Sequence, residues 1–147
     1  MEICVKRFQE LTNRELYNIL KLRVDVFVVE QNCPYPEIDG RDIDAIHVFI
    51  PDGEEILAYL RVMDRGVMNE APSIGRVIAR KRRCGYGTAI LREGIRQAEA
   101  EFHANKIYLE AQLYARKFYE NQGFRQISDP FLEDGIPHIA MLRNSEA

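Results

Sequence analysis

No apolar run in this 147-residue chain approaches the roughly 20 residues that a helix needs to cross a bilayer, which excludes a helical membrane span. Cysteine is scarce. Cys4, Cys33 and Cys84 are odd in number and widely spaced, with no C-x-x-C pair, so neither a disulfide framework nor a zinc site is supported. The opening residues Met1-Glu2-Ile3-Cys4-Val5-Lys6-Arg7 lack a basic segment leading into an apolar one and lack a small-residue cleavage site. No export is expected, and a reducing cytoplasm is the compartment that fits. A basic excess is missing too: the formal charge is −3, which argues against a surface built for nucleic acid. One local cluster, Arg76 with Arg80-Lys81-Arg82-Arg83, stands against that acidic mean and needs its own explanation. There is no internal repeat and no low-complexity tract.

What is present is the composition of one globular domain over residues 1–147, 46% hydrophobic and 29% charged. Ile3, Val5 and Phe8 open a strand, and Thr12-x-x-Glu15 has the capping-box spacing that starts a helix. Leu16, Ile19, Leu20, Val24 and Phe27 recur at helical steps, which predicts helix to about Glu30. Asn32 to Asp42, with two prolines and Gly40, reads as an ordered loop. Its Asp and Glu residues make the surface from Asn32 to Asp44 the expected seat of selectivity, favouring a cationic ligand. Ala45 to Ile50 and Ile56 to Met63 are strand-like and joined by Pro51-Asp52-Gly53-Glu54, an antiparallel pair. Ile74 to Ala79 is a further strand, followed by Gly85-Tyr86-Gly87 and by the stripe Ile90, Leu91, Ile95, Ala98 and Phe102 of a second helix. Ile107, Leu109 and Ala111 alternate as a strand, and Ala115 to Gln122 is a short helix closed by Gly123. Phe124 to Ile127 and His138 to Leu142 read as closing strands around an Asp129-Pro130 loop.

The chemistry concentrates in Arg82-Arg83-Cys84-Gly85-Tyr86-Gly87-Thr88, between a strand and an amphipathic helix. Glycines let backbone N–H groups approach a phosphate, and a helix N-terminus adds partial positive charge. No Gly-Lys-Ser/Thr follows, which excludes a P-loop, and G-x-G-x-x-G is absent, which excludes the dinucleotide fingerprint. A second segment is Gln112-x-x-Ala115-x-x-Phe118-Tyr119-x-x-x-Gly123-Phe124. In this order and at this separation, the two segments resemble the GNAT acyltransferase superfamily over nearly the whole chain. The run from Leu22-Arg23-Val24 through Glu30-Gln31-x-Cys33-Pro34-Tyr35-x-Glu37-x-Asp39-Gly40-x-Asp42-x-x-Ala45-x-His47 is similar to its ElaA-type branch.

The resemblance implies an α+β fold: a mixed, mostly antiparallel sheet of about six to seven strands with about four helices on its two faces, splayed where the cofactor enters. It implies acetyl-CoA as co-substrate, with no metal. Val77 and Ile78 would face the pantetheine, and Arg82, Arg83, Cys84, Gly85, Tyr86, Gly87 and Thr88 would hold the phosphates. Gln112 and Phe118 would complete the cofactor site, and Tyr119 would protonate the departing thiolate. The implied partner is an amine acceptor, small molecule or peptide, with neither nucleic acid nor membrane; a homodimer is left open. A non-catalytic CoA-binding or protein-interaction module that keeps the fold without turnover is the competing reading.

An acceptor ammonium with a lysine-like pKa near 10.4 is neutral in roughly one molecule of 2,500 at pH 7, about 4.6 kcal/mol of barrier. A base must remove that proton, and Glu30, His47 and Glu110 are the candidates. Each has a plainer role open to it: a helix-end carboxylate for Glu30, a hydrogen-bonded structural histidine for His47 and an outward strand residue for Glu110. His103 and His138 read as surface or strand-edge residues.

Overall fold

The computed structural model describes residues 2–80 and 84–145. Strand β1 (Cys4–Arg7) leads through a 3-10 turn into helix α1 (Asn13–Arg23). The expected capping box starts α1: the Glu15 N–H donates to Thr12 Oγ1 at 3.0 Å, and the Thr12 N–H donates to Glu15 Oε1 at 2.9 Å. The helix continues to Glu30, as its periodicity predicts, but Val24–Glu30 is a wider π-helical segment, with the Cys33 N–H reaching Val28 O at 3.0 Å beyond it. Four valines among those seven residues crowd the preceding turn, and the wider winding relieves that crowding.

Strands β2 (Ile46–Asp52) and β3 (Glu55–Met63) form the predicted hairpin, with Pro51 at a register shift inside β2. Strand β4 (Ser73–Ala79) lies antiparallel to β3, and α2 (Tyr86–Phe102) crosses to β5 (Lys106–Gln112). A 3-10 turn at Leu113–Ala115 and α3 (Arg116–Glu120) follow, then β6 (Phe124–Gln126), β7 (Phe131–Glu133) and β8 (Ile136–Asn144). The sheet order is β1-β2-β3-β4-β5-β8-β6, with β7 on β8. Every pairing is antiparallel except β4 with β5.

The described residues thus hold eight strands and three α-helices, one strand more and one helix fewer than the sequence suggested. The added strand is β7, inside the stretch read as an Asp129-Pro130 loop. It turns into β8 through Asp134 (φ 50°) and Gly135 (φ 79°), the left-handed pair that a two-residue hairpin demands.

Period-two alternation explains the two layers. Ile46, Val48, Ile50, Leu60 and Val62 meet Ile90, Leu91, Ile95 and Ala98 of α2 on one face, while Phe49, Tyr59 and Ile78 meet Ile19 and Leu22 of α1 on the other. Both faces of β2 and β3 are therefore buried. The sheet's one weakness is the β4–β5 seam, where Ser73 opposite Tyr108 is the only register pair and the two strands then part.

Candidate active site

The parting of β4 from β5 opens a cleft of about 790 Å³. Its walls include Val77 and Ile78 of β4, Glu110 and Gln112 of β5, Tyr119 of α3, Glu30 at the end of the π-helical segment, and the β7–β8 turn. Past Ser73, no strand among the described residues pairs the β5-facing edge of β4. Backbone donors and acceptors left open along a cleft are available to an extended ligand.

Helix α2 begins beyond the Ala79 end of that edge. Its N-cap, Gly85, sits at φ 78°, ψ 4°, and among the described residues no side chain caps the helix. A side chain at this left-handed position would be strained, and the uncapped first-turn amides favour an anion. Cys84 and Gly85 are exposed, and a Cβ built on Gly87 would stand 3.4 Å from the Phe118 ring and 3.5 Å from Ala79 Cβ. The first turn of α2, the end of β4 and α3 therefore converge, with Cys84, Gly85, Tyr86, Gly87 and Thr88 at the point of convergence rather than on the wall of the cleft. Arg82 and Arg83, expected to hold phosphates, lie outside the described residues.

Tyr119 is buried with its ring edge-on to Phe118 (5.0 Å) and Phe124 (6.1 Å), and it lines the cleft. Burial raises its phenol above the ordinary tyrosine value, so it carries its proton at neutral pH.

The three base candidates separate. Glu30 lies on the cleft but its Oε2 accepts from Arg80 Nη1 at 2.9 Å, so that oxygen is already engaged. His47 does not line the cleft. It is fully buried in β2, with Nε2 2.8 Å from the Asp42 carbonyl and Nδ1 2.7 Å from Tyr59 Oη. A carbonyl only accepts, so Nε2 bears the hydrogen and Nδ1 accepts from the tyrosine. Burial lowers its pKa, and the Arg23 and Arg61 charges act the same way. Both nitrogens are thus committed, and the catalytic expectation for His47 gives way to the structural one. Glu110 remains on the wall, accepting from Tyr108 Oη at 2.8 Å.

The acetyltransferase (GNAT) domain family matches residues 28–144. ElaA of Escherichia coli is 38% identical over 138 residues, covering 91% of this chain and 90% of that protein. The crystal structure of E. coli ElaA superposes with a TM-score of 0.90 at 35% identity, covering 97% of this chain and 99% of that one. An acyl-CoA N-acyltransferase from Pseudomonas aeruginosa gives the same TM-score, 0.90, at 37% identity and the same coverage. The chain belongs to the GNAT family, in its ElaA-like branch.

It is accordingly a GNAT-type acyltransferase. The fold implies a CoA-linked donor, and the residues present fit one: an open strand edge for an amide-bearing arm, then an uncapped, exposed helix N-terminus for its phosphates. Among the described residues no cluster of His, Cys, Asp or Glu could hold a metal ion.

The run that carries the ElaA-like signature has another use. Arg23 is fully buried; its Nε donates to Glu37 Oε1 and Oε2, each at 3.1 Å, and its Nη1 to Asp42 Oδ1 at 2.6 Å. Arg61 donates to Asp42 Oδ1 at 3.0 Å and to Asp39 Oδ2 at 2.6 Å, while Arg76 pairs with Glu37 and stacks over Tyr35. Burial alone would raise Asp39 and Asp42, yet Arg61 and Arg23 hold them below the usual carboxylate range. The acidic loop is therefore neutralised from within, which corrects the expectation that its carboxylates select a cation.

Sequence reasoning also missed residues on the cleft wall. Glu133, in the unforeseen β7, and His138 of β8, read as a strand-edge residue, both face it. The signal for β7 was the Asp134-Gly135 pair.

Proposed function

We propose that the chain transfers an acetyl group from acetyl-CoA to a primary amine, small molecule or peptide, by direct attack while both are bound. The observation that carries this reading is the open edge of β4 running from Ser73 toward the uncapped start of α2, with Tyr119 on the same cleft. The acyl carrier supplies a thioester carbonyl open to nucleophiles and a thiolate leaving group. The nitrogen loses two protons between ammonium and amide; one returns to the CoA sulfur and the other leaves to solvent. Tyr119 is the donor for the sulfur. Its raised pKa is no obstacle, because a thiolate released against the same buried wall is raised by the same desolvation. Glu110 marks the wall that receives the nitrogen's proton, since Glu30 is occupied by Arg80 and His47 is sealed from the cleft. A reducing cytoplasm is the compartment this reading adopts, and three free cysteines support it.

Tyr119→Phe tests the assignment. Thiol release from acetyl-CoA in the presence of an amine should fall by about 10²–10⁴-fold, the usual worth of a positioned acid. CoA affinity, measured by calorimetry, should stay within about twofold, because the ring packing on Phe118 and Phe124 survives. Unchanged turnover would remove Tyr119 from the mechanism.

A further inference from the structure

Glu133 lines the cleft from the β7–β8 hairpin, beside Glu110 on the same wall, and the Glu110 carboxylate acts on it at close range. The groups around this pair come from four directions. Tyr108 on β5 donates to Glu110 Oε2 at 2.8 Å, and Asp134 stands in the hairpin turn. His138 on β8 brings Nε2 to 3.5 Å from Glu133 Oε2, and Arg76 of β4 acts from farther off. His138 Nδ1 lies 2.7 Å from the Ile136 carbonyl, which only accepts, so its hydrogen is committed there and neutral His138 has none to give Glu133. Burial and the neighbouring charges of Glu110 and Asp134 favour a proton on Glu133.

We propose that the Glu110–Glu133 pair is the general base of the acyl transfer, with Glu133 as the member that takes the proton from the acceptor ammonium. This rests on the acyl-transfer reading above and deepens it. A second feature of the same wall points to a bound ligand. Ser73, opposite Tyr108 where the cleft begins, is 2% exposed and its Oγ has no hydrogen-bond partner among the described residues, which leaves a hydroxyl for a ligand to meet. Half of the Glu133 side chain is open to water, so the proton it takes can leave to solvent after each turnover.

The chemistry suits the task. Burial first, then the Glu110 carboxylate, then Asp134, raise Glu133 to about 7. Relative to an ordinary carboxylate near 4.5, that narrows the gap to a lysine-like ammonium by about 300-fold in proton affinity. Deprotonated Glu133 is the active form, so turnover rises with pH through about 7.

The test uses the full chain with Glu133→Gln and Glu110→Gln. Carbon-detected NMR of glutamate-labelled protein should show one side-chain carboxyl titrating near 7, absent in Glu133→Gln and displaced to lower pH in Glu110→Gln. Thiol release with spermidine, a charged amine, should fall about 100-fold or more in Glu133→Gln and lose its acid limb. Hydroxylamine, uncharged at neutral pH, needs no deprotonation and should be turned over nearly as well by Glu133→Gln as by the wild type. A glutamate spectrum with every carboxyl in the ordinary range, or equal loss with both amines, would overturn the proposal. Failure of the wild type to bind CoA in calorimetry would instead overturn the acyl-transfer reading and the use of this pair with it.

Discussion

Replacing Arg23 with Met is the sharpest probe of the scaffold beneath the cleft. The guanidinium is fully buried, holds Glu37 and Asp42 in one grip, and lies 5.7 Å over the Tyr59 ring. Removing one partner of a buried ion pair costs about 3–5 kcal/mol, because the remaining charge is stranded. Here each carboxylate keeps a second arginine, Arg76 on Glu37 and Arg61 on Asp42, so the low end of that range, about 3 kcal/mol, applies. Methionine roughly fills the aliphatic volume, which limits any cavity cost. With a urea dependence of about 2 kcal/mol/M, the unfolding midpoint should drop by about 1.5 M. The melting temperature should fall by about 6–12 °C. Arg14→Met, which breaks only the exposed pair with Glu54, is the control and should stay within about 0.5 kcal/mol. CoA affinity of folded Arg23→Met should be preserved, since Arg23 does not line the cleft. A loss below about 1 kcal/mol would refute the reasoning, by showing that water or rearrangement supplies what the arginine does.

Two further outcomes follow from other parts of the core. His47 has a folded pKa below its unfolded value of 6.5, so its contribution is complete above 6.5 and is lost as pH falls through the folded value; urea midpoints should decline on mild acidification. His47→Gln keeps a donor for the Asp42 carbonyl and an acceptor for Tyr59, and should flatten that decline; an unchanged slope would assign it to other groups. Gly94→Ala sets about 1 kcal/mol of helix propensity against a Cβ only 2.9 Å from Leu60 Cδ1, where overpacking costs about 1–3 kcal/mol. Denaturant unfolding should show a net loss of up to about 2 kcal/mol, and a clear gain would mean Leu60 swings aside.

The elements that were legible in the sequence share one property: their signals are local. Thr12 and Glu15 satisfy each other's amides within one turn, and Ile107, Leu109 and Ala111 alternate on one strand, so α1 and β5 follow from spacing alone. Strand β7 was hidden because Phe131–Glu133 is three residues long, two of them exposed, and its pairing depends on β8 being in place. The fate of His47 was equally out of reach, since a histidine on an alternating strand looks the same whether it faces a cleft or a tyrosine hydroxyl twelve residues on. What decided it was the hairpin register that sets His47 across from Arg61 and packs Tyr59 beside it.

The same limit explains why charge misled at the acidic loop. Glu37, Asp39 and Asp42 are near neighbours in sequence, while the arginines that neutralise them come from α1, β3 and β4. A count of carboxylates along the chain sees the three acids together and never the three bases. Once folded, the cluster is neutral in sum and mostly buried, so it projects little field into the cleft beside it. Apart from Glu30, which is paired with Arg80, the carboxylates on the cleft outside that cluster are Glu110, Glu133 and Asp134, drawn from two strands and the turn after β7. Any preference for a cationic acceptor must therefore arise from those three. It should weaken when Glu133 is protonated, which ties acceptor choice and proton removal to one titrating group.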